Sequence, residues 1–253
     1  MSRRYDKEDA RRRILSVCVR LFIEKGYSRT TNAEILRLAD VTNGTFYNIF
    51  KSKDGILLEL TEFMFSNQFN IAGQLAGTTT DPIFLYALET SIQMTLTELN
   101  ENLREIYVEA YTHPQVAEYI HHKTAAELSR IFGSYLPECS EADFFELEIG
   151  TAGMMRGYMV RRCDCYFTLK RKLQRFLRMS FSAYNVPKEQ QDAVISQVLQ
   201  MDITSIANMV MQQLFTALEM KYDFVLTEKT DEETGKTEPT QASSKIFCGA
   251  YAK

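Results

Sequence analysis

Between Thr30 and Lys53 the chain concentrates side chains suited to exchanging hydrogen bonds rather than making or breaking covalent ones. These are the hydroxyls of Thr31, Thr42, Thr45 and Tyr47, the amides of Asn43 and Asn48, and the charges of Arg37 and Lys53. An asparagine amide can donate to and accept from an adenine edge, and a threonine methyl can pack on a thymine methyl. Asn43 and Thr45 are spaced for those two jobs, with Gly44 between them to let the backbone approach closely. Covalent chemistry has no such cluster. The sequence shows no nucleophile beside a base, no phosphate loop and no paired catalytic carboxylates. Glu105 and Glu109 share a helix face but have no His or Ser close by in sequence. No catalytic residue and no cofactor are expected.

Two short amphipathic segments must position these groups. The first runs over Asn32–Ala39, with Ile35, Leu36 and Ala39 on one face; the second runs over Asn43–Ile49, with Phe46, Ile49 and Phe50 pointing inward. Thr31 and Thr42 each stand where an N-cap side chain accepts from an unpaired N–H. Asp40-Val41 leaves room only for a sharp turn, and Asp40 is expected at positive φ, which Asp tolerates better than most residues. This is the layout of a helix-turn-helix, whose second helix enters the DNA major groove.

Upstream, Arg12–Gly26 reads as a helix with Ile14, Leu15, Cys18, Leu21 and Phe22 on one face and Gly26 as its C-terminal cap. Downstream, Ser52 is placed to cap a fourth helix. Over residues 11–60 the chain resembles the DNA-binding domain of the tetracycline-repressor (TetR) family of bacterial transcription regulators. The resemblance rests on Ile14, Leu15, Leu21, Phe22, Gly26, Thr31, Ile35, Ala39, Val41, Thr42, Gly44, Thr45, Tyr47, Phe50, Lys53 and Leu57. The family usually has alanine at Cys18 and Leu36 and glycine at Asp40, departures that leave the motif intact. The resemblance implies phosphate contacts from Thr31, Thr42, Tyr47 and Lys53. Asn43, Gly44 and Thr45 would then face base edges, with Arg37 and Asn48 as further DNA-binding candidates. It also implies a homodimer on a palindromic operator, a fourth helix linking ligand binding to the head, and an all-α fold. In that fold a three-helix head over residues 1–53 precedes a larger helical ligand-binding and dimerisation domain over 54–225.

Composition agrees with this division. Residues 1–53 hold 12 Lys/Arg against 6 Asp/Glu, whereas the remaining 200 hold 17 against 27. A basic head on an acidic body suits a chain that meets DNA at one end. Five cysteines with no apolar leader and no apolar run long enough to span a membrane point to a reducing cytoplasm.

Residues 1–9 read as a charged arm, in which Arg3 and Arg4 could reach DNA, with helix 1 beginning near Lys7. A Gly- and Thr-rich break covers Gly73–Asp81, and one long helix is expected from Asp81 to Tyr111. Pro114–Leu136 follows as one or two helices. Ala142–Arg162 is a helix with small residues Gly150, Ala152, Gly153 and Gly157, which would let another helix come close. Phe167–Tyr184 is helical, with Lys170, Arg171, Lys172, Arg175 and Arg178 on its outer face. The dimer face is expected over Ala142–Tyr184, with or without the further C-terminal helices. Lys188–Phe224 extends beyond a typical member of the family as one or two helices that must pack on the body or on a partner. Residues 226–253 read as a polar, disordered tail.

Met94, Tyr107, Tyr111, Met154, Met155 and Tyr158 form the candidate ligand pocket, since flexible Met and amphipathic Tyr adapt to apolar ligands. Ordinary core packing is the competing account at each position. Cys163 and Cys165 with His121 and His122 carry metal-ligand chemistry, but the clusters are far apart in sequence and do not match a zinc spacing, so no metal is expected. Adjacent i, i+2 cysteines also rarely bridge. The expected function is a sequence-specific repressor released by a small molecule. The alternative is a DNA-binding regulator controlled by a protein partner or lacking a small effector.

Overall fold

The computed structural model describes residues 2–75 and 81–226, with backbone alone at 2–6 and 66–75. All regular structure among them is helical: α1 Ser2–Lys25, α2 Asn32–Leu38, α3 Asn43–Phe50, α4 Lys53–Leu75, α5 Pro82–Leu99, α6 Glu101–Ala110, α7 Pro114–Phe132, α8 Glu141–Val160, α9 Leu169–Ala183, α10 Lys188–Gln200 and α11 Ile203–Tyr222. The expected break over Gly73–Asp81 lies largely outside the described residues. So does the tail expected over 226–253, apart from Leu226.

The head forms because three short helices each carry one apolar stripe. Ile14, Cys18 and Phe22 of α1, Ile35 of α2 and Phe46 of α3 meet in a solvent-free core. Cys18 fits there as a small apolar residue. Thr31 and Thr42 cap α2 and α3 as expected, accepting from the N–H groups of Glu34 and Thr45. Asp40 turns the corner at φ 50°, and Gly26 follows α1 at φ 97°. Helix α1 starts at Ser2, not near Lys7: the charged stretch continues the helix instead of forming a separate arm.

In the body, α5 is the central rod. Its side chains from Ile83 to Thr97 are buried all round, Leu85 excepted. The threonines of that run are satisfied within the helix: the Thr90, Thr95 and Thr97 hydroxyls donate to the carbonyls of Tyr86, Ser91 and Met94. The single helix expected over Asp81–Tyr111 is two. Asn100 leaves helical geometry (φ −137°, ψ 118°) and its side chain accepts from the Leu103 N–H, capping α6. The pair expected as an option over Pro114–Leu136 is one helix, α7.

The C-terminal extension packs on its own body. Val210, Leu214 and Leu218 of α11 are buried, and α11 lies along α5 and reaches α4 and α1. Beyond its end, the Asp223 carbonyl accepts from Ser16 of α1 at 3.2 Å, and its carboxylate pairs with Arg12 at 3.4 Å. Lys172 departs from its expected outer face. It is fully buried, ion-paired with Glu98, and donates to the Arg161 carbonyl. Glu98 also accepts from the Cys163 N–H at 3.1 Å, so this buried pair anchors the loop between α8 and α9.

Candidate functional site

The head presents a polar face opposite its core. Phe46 and Phe50 turn α3 inward, which leaves Asn43, Gly44, Tyr47 and Asn48 exposed on the other side, together with Thr31, Arg37 and Thr42. Thr45 is half-buried and shares a 3.0 Å hydrogen bond with the Thr42 hydroxyl. A Cβ at Gly44 would meet nothing nearer than Thr42 Oγ1 at 3.9 Å. The protein itself therefore does not require glycine there, and the space faces outward. Lys53 is placed differently from the rest: its ammonium donates to the carbonyls of Tyr27 (2.9 Å) and Thr30 (3.2 Å) and lies 4.0 Å from the centre of the Tyr27 ring. It closes the loop after α1 with the donors it would otherwise offer to a phosphate. Arg13, not singled out in the sequence, donates to the carbonyls of Ala39 (2.7 Å) and Asp40 (3.0 Å). A cation there satisfies the C-terminal end of α2 and sets the turn that aims α3.

The head sits on α6. Glu105 accepts from the Ser28 N–H at 3.0 Å. Asn102 donates to the Ile23 carbonyl and accepts from Arg29, each at 2.7 Å. Beside this seat, Tyr27 donates to Asp54 at 2.6 Å, Ser52 donates to the same carboxylate at 3.0 Å, and His113 lies 3.3 Å from it. Burial alone would raise the Asp54 carboxyl. The hydrogen bonds from Tyr27 and Ser52 and the neighbouring His113 outweigh it and hold the group below its ordinary range. Ser52, expected as the cap of α4, thus spends its hydroxyl on Asp54.

A cavity of about 40 Å³ lies in the body among α4, α5, α7, α8 and α9, with Tyr111 at the end of α6. Phe65, Tyr86, Tyr111, Phe176 and Met155 give it apolar walls; Glu89, Glu127 and Glu148 bring three carboxyls to it. Of the expected pocket residues, Tyr111 and Met155 line this cavity, the Tyr111 hydroxyl pointing at the Met155 sulfur at 3.6 Å. Met94 and Tyr107 are fully packed core. Met154 is half-buried, and Tyr158 stacks on Phe167 beside a surface groove with Arg171, Arg175 and Arg178. Sequence reading missed the acids. The available signal was Glu89, the lone charge in the run from Ile83 to Thr97 of α5.

Burial pushes the Glu89 carboxyl up to about 8, with Glu127 adding like-charge repulsion against a weak hydrogen bond from Gln93. Burial raises Glu148 too, partly offset by the neighbouring His121 and a hydrogen bond from Thr151. The Tyr86, Tyr111 and Tyr184 phenols are likewise held up by burial, so they stay neutral donors. Among the described residues no group of three or more His, Cys, Asp or Glu side chains is placed to hold a metal ion. Burial raises the Cys163 thiol to about 11, far from thiolate chemistry. No described helix is long and apolar enough to cross a membrane.

A helix-turn-helix head seated on a larger helical body defines the class of protein, and comparison with known proteins matches the head to a known domain. Residues 14–60 match the model of bacterial regulatory proteins, tetR family, which marks the head as a DNA-binding domain of that kind. It is 31% identical over 103 residues to the HTH-type transcriptional regulator QacR of Staphylococcus aureus, covering 40% of this chain and 53% of that one. It is 28% identical over 170 residues to the regulator AcrR of Shigella flexneri, covering 61% and 76%. The uncharacterized regulator YerO of Bacillus subtilis is 38% identical over 73 residues, 27% of this chain and 25% of that one. The match thus spans only a quarter to about half the length of the first of these relatives. The fold as a whole is similar to that of RolR, solved in complex with the ligand resorcinol: TM-score 0.58, 18% identity, 78% of this chain and 96% of that one.

Proposed function

We propose that this protein is a homodimeric, sequence-specific DNA-binding repressor of the cytoplasm, released from its operator by a small molecule held in the body. One observation carries the reading: a single helix serves both ends of the switch. Helix α6 seats the head through Asn102 and Glu105, and Tyr111, its C-cap, lines the cavity. A ligand that moves Tyr111 moves the seat of the head. A coupling of roughly 1–3 kcal/mol would change operator occupancy about 5–150-fold.

The division into a head over 1–53 and a body from 54 supports this reading, since α4 runs from one to the other. The outer face of α8 and α9 supports the dimer. There a Cβ on Gly150, Gly153 or Gly157 would meet nothing within 4 Å, and Ile149, Val160 and Met179 are exposed around them. Small residues flanked by apolar ones suit the close approach of a second copy. Asn43, Gly44, Thr45 and Asn48 would read bases, with Thr31, Arg37, Thr42 and Tyr47 on phosphates and Lys53 acting through the loop it holds.

The test is selection of genomic fragments by the purified full chain at stated salt. Enrichment of one palindrome, with half-sites about 34–36 Å apart or a multiple of that spacing, is the expected result. Salt-sensitive binding with no enriched site overturns specificity. A second reading, control by a protein partner, draws on the cavity's size. At about 40 Å³ it is far below the roughly 300–1,000 Å³ of preformed ligand sites. A ligand must therefore push its walls apart. An operator complex unmoved by any compound that binds the protein would decide for the partner.

A further inference from the structure

We propose that the body cavity takes an organic cation, an aromatic or alkyl ammonium ion, with Glu89 as its counter-charge and the surrounding rings as its walls. This rests on reading the cavity as the effector site and names the chemical class that site would accept.

Glu89 projects from the central rod α5 into the cavity. Among the described residues its one hydrogen bond is a long one, 3.3 Å from Gln93 Nε2 to one carboxylate oxygen, and no donor there meets the other oxygen. The charge that bears on it is Glu127, of the same sign. Glu148, on the same cavity, accepts from Thr151 at 3.1 Å and faces His121 at 3.8 Å. No lysine or arginine lines the cavity among the described residues, and residues 66–80 contain no Lys, Arg or His. Elsewhere in the body a deeply buried charge has its partner, as Lys172 has Glu98.

A buried carboxylate without a counter-charge is costly, by several kcal/mol, and a leucine in its place would be cheaper. Such a group is understandable where a bound cation completes it. Aromatic ring faces attract cations as well, most strongly when water is excluded. Tyr86, Tyr111, Phe65 and Phe176 bring four aromatic rings to the cavity wall. Without a cation the carboxyl keeps a proton instead, since burial, with Glu127 beside it, raises it to about 8. A cation arriving near pH 7 therefore releases close to one proton to solvent. The other ionisable groups facing Glu89 do not compensate it: Glu127 repels it, Glu148 is a further acid, and the Tyr86 and Tyr111 phenols stay neutral.

The test is calorimetric titration of the full chain with matched isosteres: benzylammonium, phenethylammonium and benzyltrimethylammonium against benzyl alcohol, phenethyl alcohol and benzoate. At least one ammonium ion should bind about tenfold or more tighter than its alcohol, and benzoate should not bind. Glu89→Gln should collapse that ratio toward one. Wild-type titrations in two buffers of different ionisation enthalpy should show close to one proton released, a readout that does not depend on the variant folding. Alcohols binding as tightly as the ammonium ions, or no proton release, would overturn the cation. If those alcohols also weaken operator binding, the effector reading survives without it. No binding by any compound would overturn both.

Discussion

Glu105 of α6 accepts a hydrogen bond from the backbone N–H of Ser28 at 3.0 Å, the first residue pair across which the body holds the head. Gly26 lies against the same carboxylate: a Cβ there would clash with it, and the backbone sits at φ 97°, a region that side chains resist. Gly26→Ala should therefore cost about 1–2 kcal/mol of stability and also tilt the head on its seat. Glu105→Gln should leave stability within about 1 kcal/mol while altering the coupling between effector and operator. Thermal unfolding and operator titrations with and without effector separate the two. An unchanged coupling in both variants would remove α6 from the switch.

The exposed face of α3 divides by chemistry. Asn43→Ala should relax preference at one position per half-site by about 1–3 kcal/mol. Arg37→Ala, on the neighbouring α2, should weaken binding to all sequences and reduce the salt slope by about one. Operator-variant panels read at several salt concentrations distinguish these. A uniform loss for Asn43→Ala would move it from base to phosphate.

The buried acid predicts how stability depends on pH. Glu89 titrates at about 8 in the fold against an ordinary value of 4.5. Between those values the folded chain keeps a proton that the unfolded chain has lost. Stability from this group is thus complete below about 4.5 and falls as pH rises through about 8, with a slope approaching 1.4 kcal/mol per pH unit. Glu148, also raised, adds to the same fall. Urea midpoints at pH 5.5 and 7.5 should show it, and Glu89→Gln should flatten it. A midpoint that rises with pH would contradict this account of the cavity.

Lys172 is fully buried against the half-buried Glu98, whose other cation, Arg104, stands farther off at 3.8 Å, so removing Lys172 strips the carboxylate of its close partner. Lys172→Ala should cost about 3–5 kcal/mol, and Lys172→Met combined with Glu98→Gln clearly less. Denaturant unfolding of the single and double variants checks it, and equal losses would mean that packing, not charge, sets the effect.

Leu218 is fully buried in α11, the helix that lies along α5 and reaches α1 and α4. Leu218→Ala should cost about 2–5 kcal/mol, lowering the melting temperature by roughly 5–15 °C. A surface-like loss below about 0.5 kcal/mol would mean that the C-terminal extension is an accessory rather than part of the body.

What the sequence determined by itself was local. Thr31 and Thr42 cap the helices they precede because a cap needs only the next three residues. Asp40 turns the corner because so few residues separate two amphipathic stripes. The all-α fold and the head follow from that periodicity and from a motif whose contacts are short in sequence. What only the tertiary structure decided depends on partners far along the chain. Lys53 turns to the carbonyls of Tyr27 and Thr30 instead of outward. Lys172 goes inward because Glu98, on another helix, is there to meet it. Asn100 divides what periodicity reads as one helix, since an apolar stripe continues across a capped break. Glu89 stands out in the sequence as the one charge between Ile83 and Thr97, but only the packing of α10 and α11 along α5 shows that the run is buried all round and that burial raises its carboxyl.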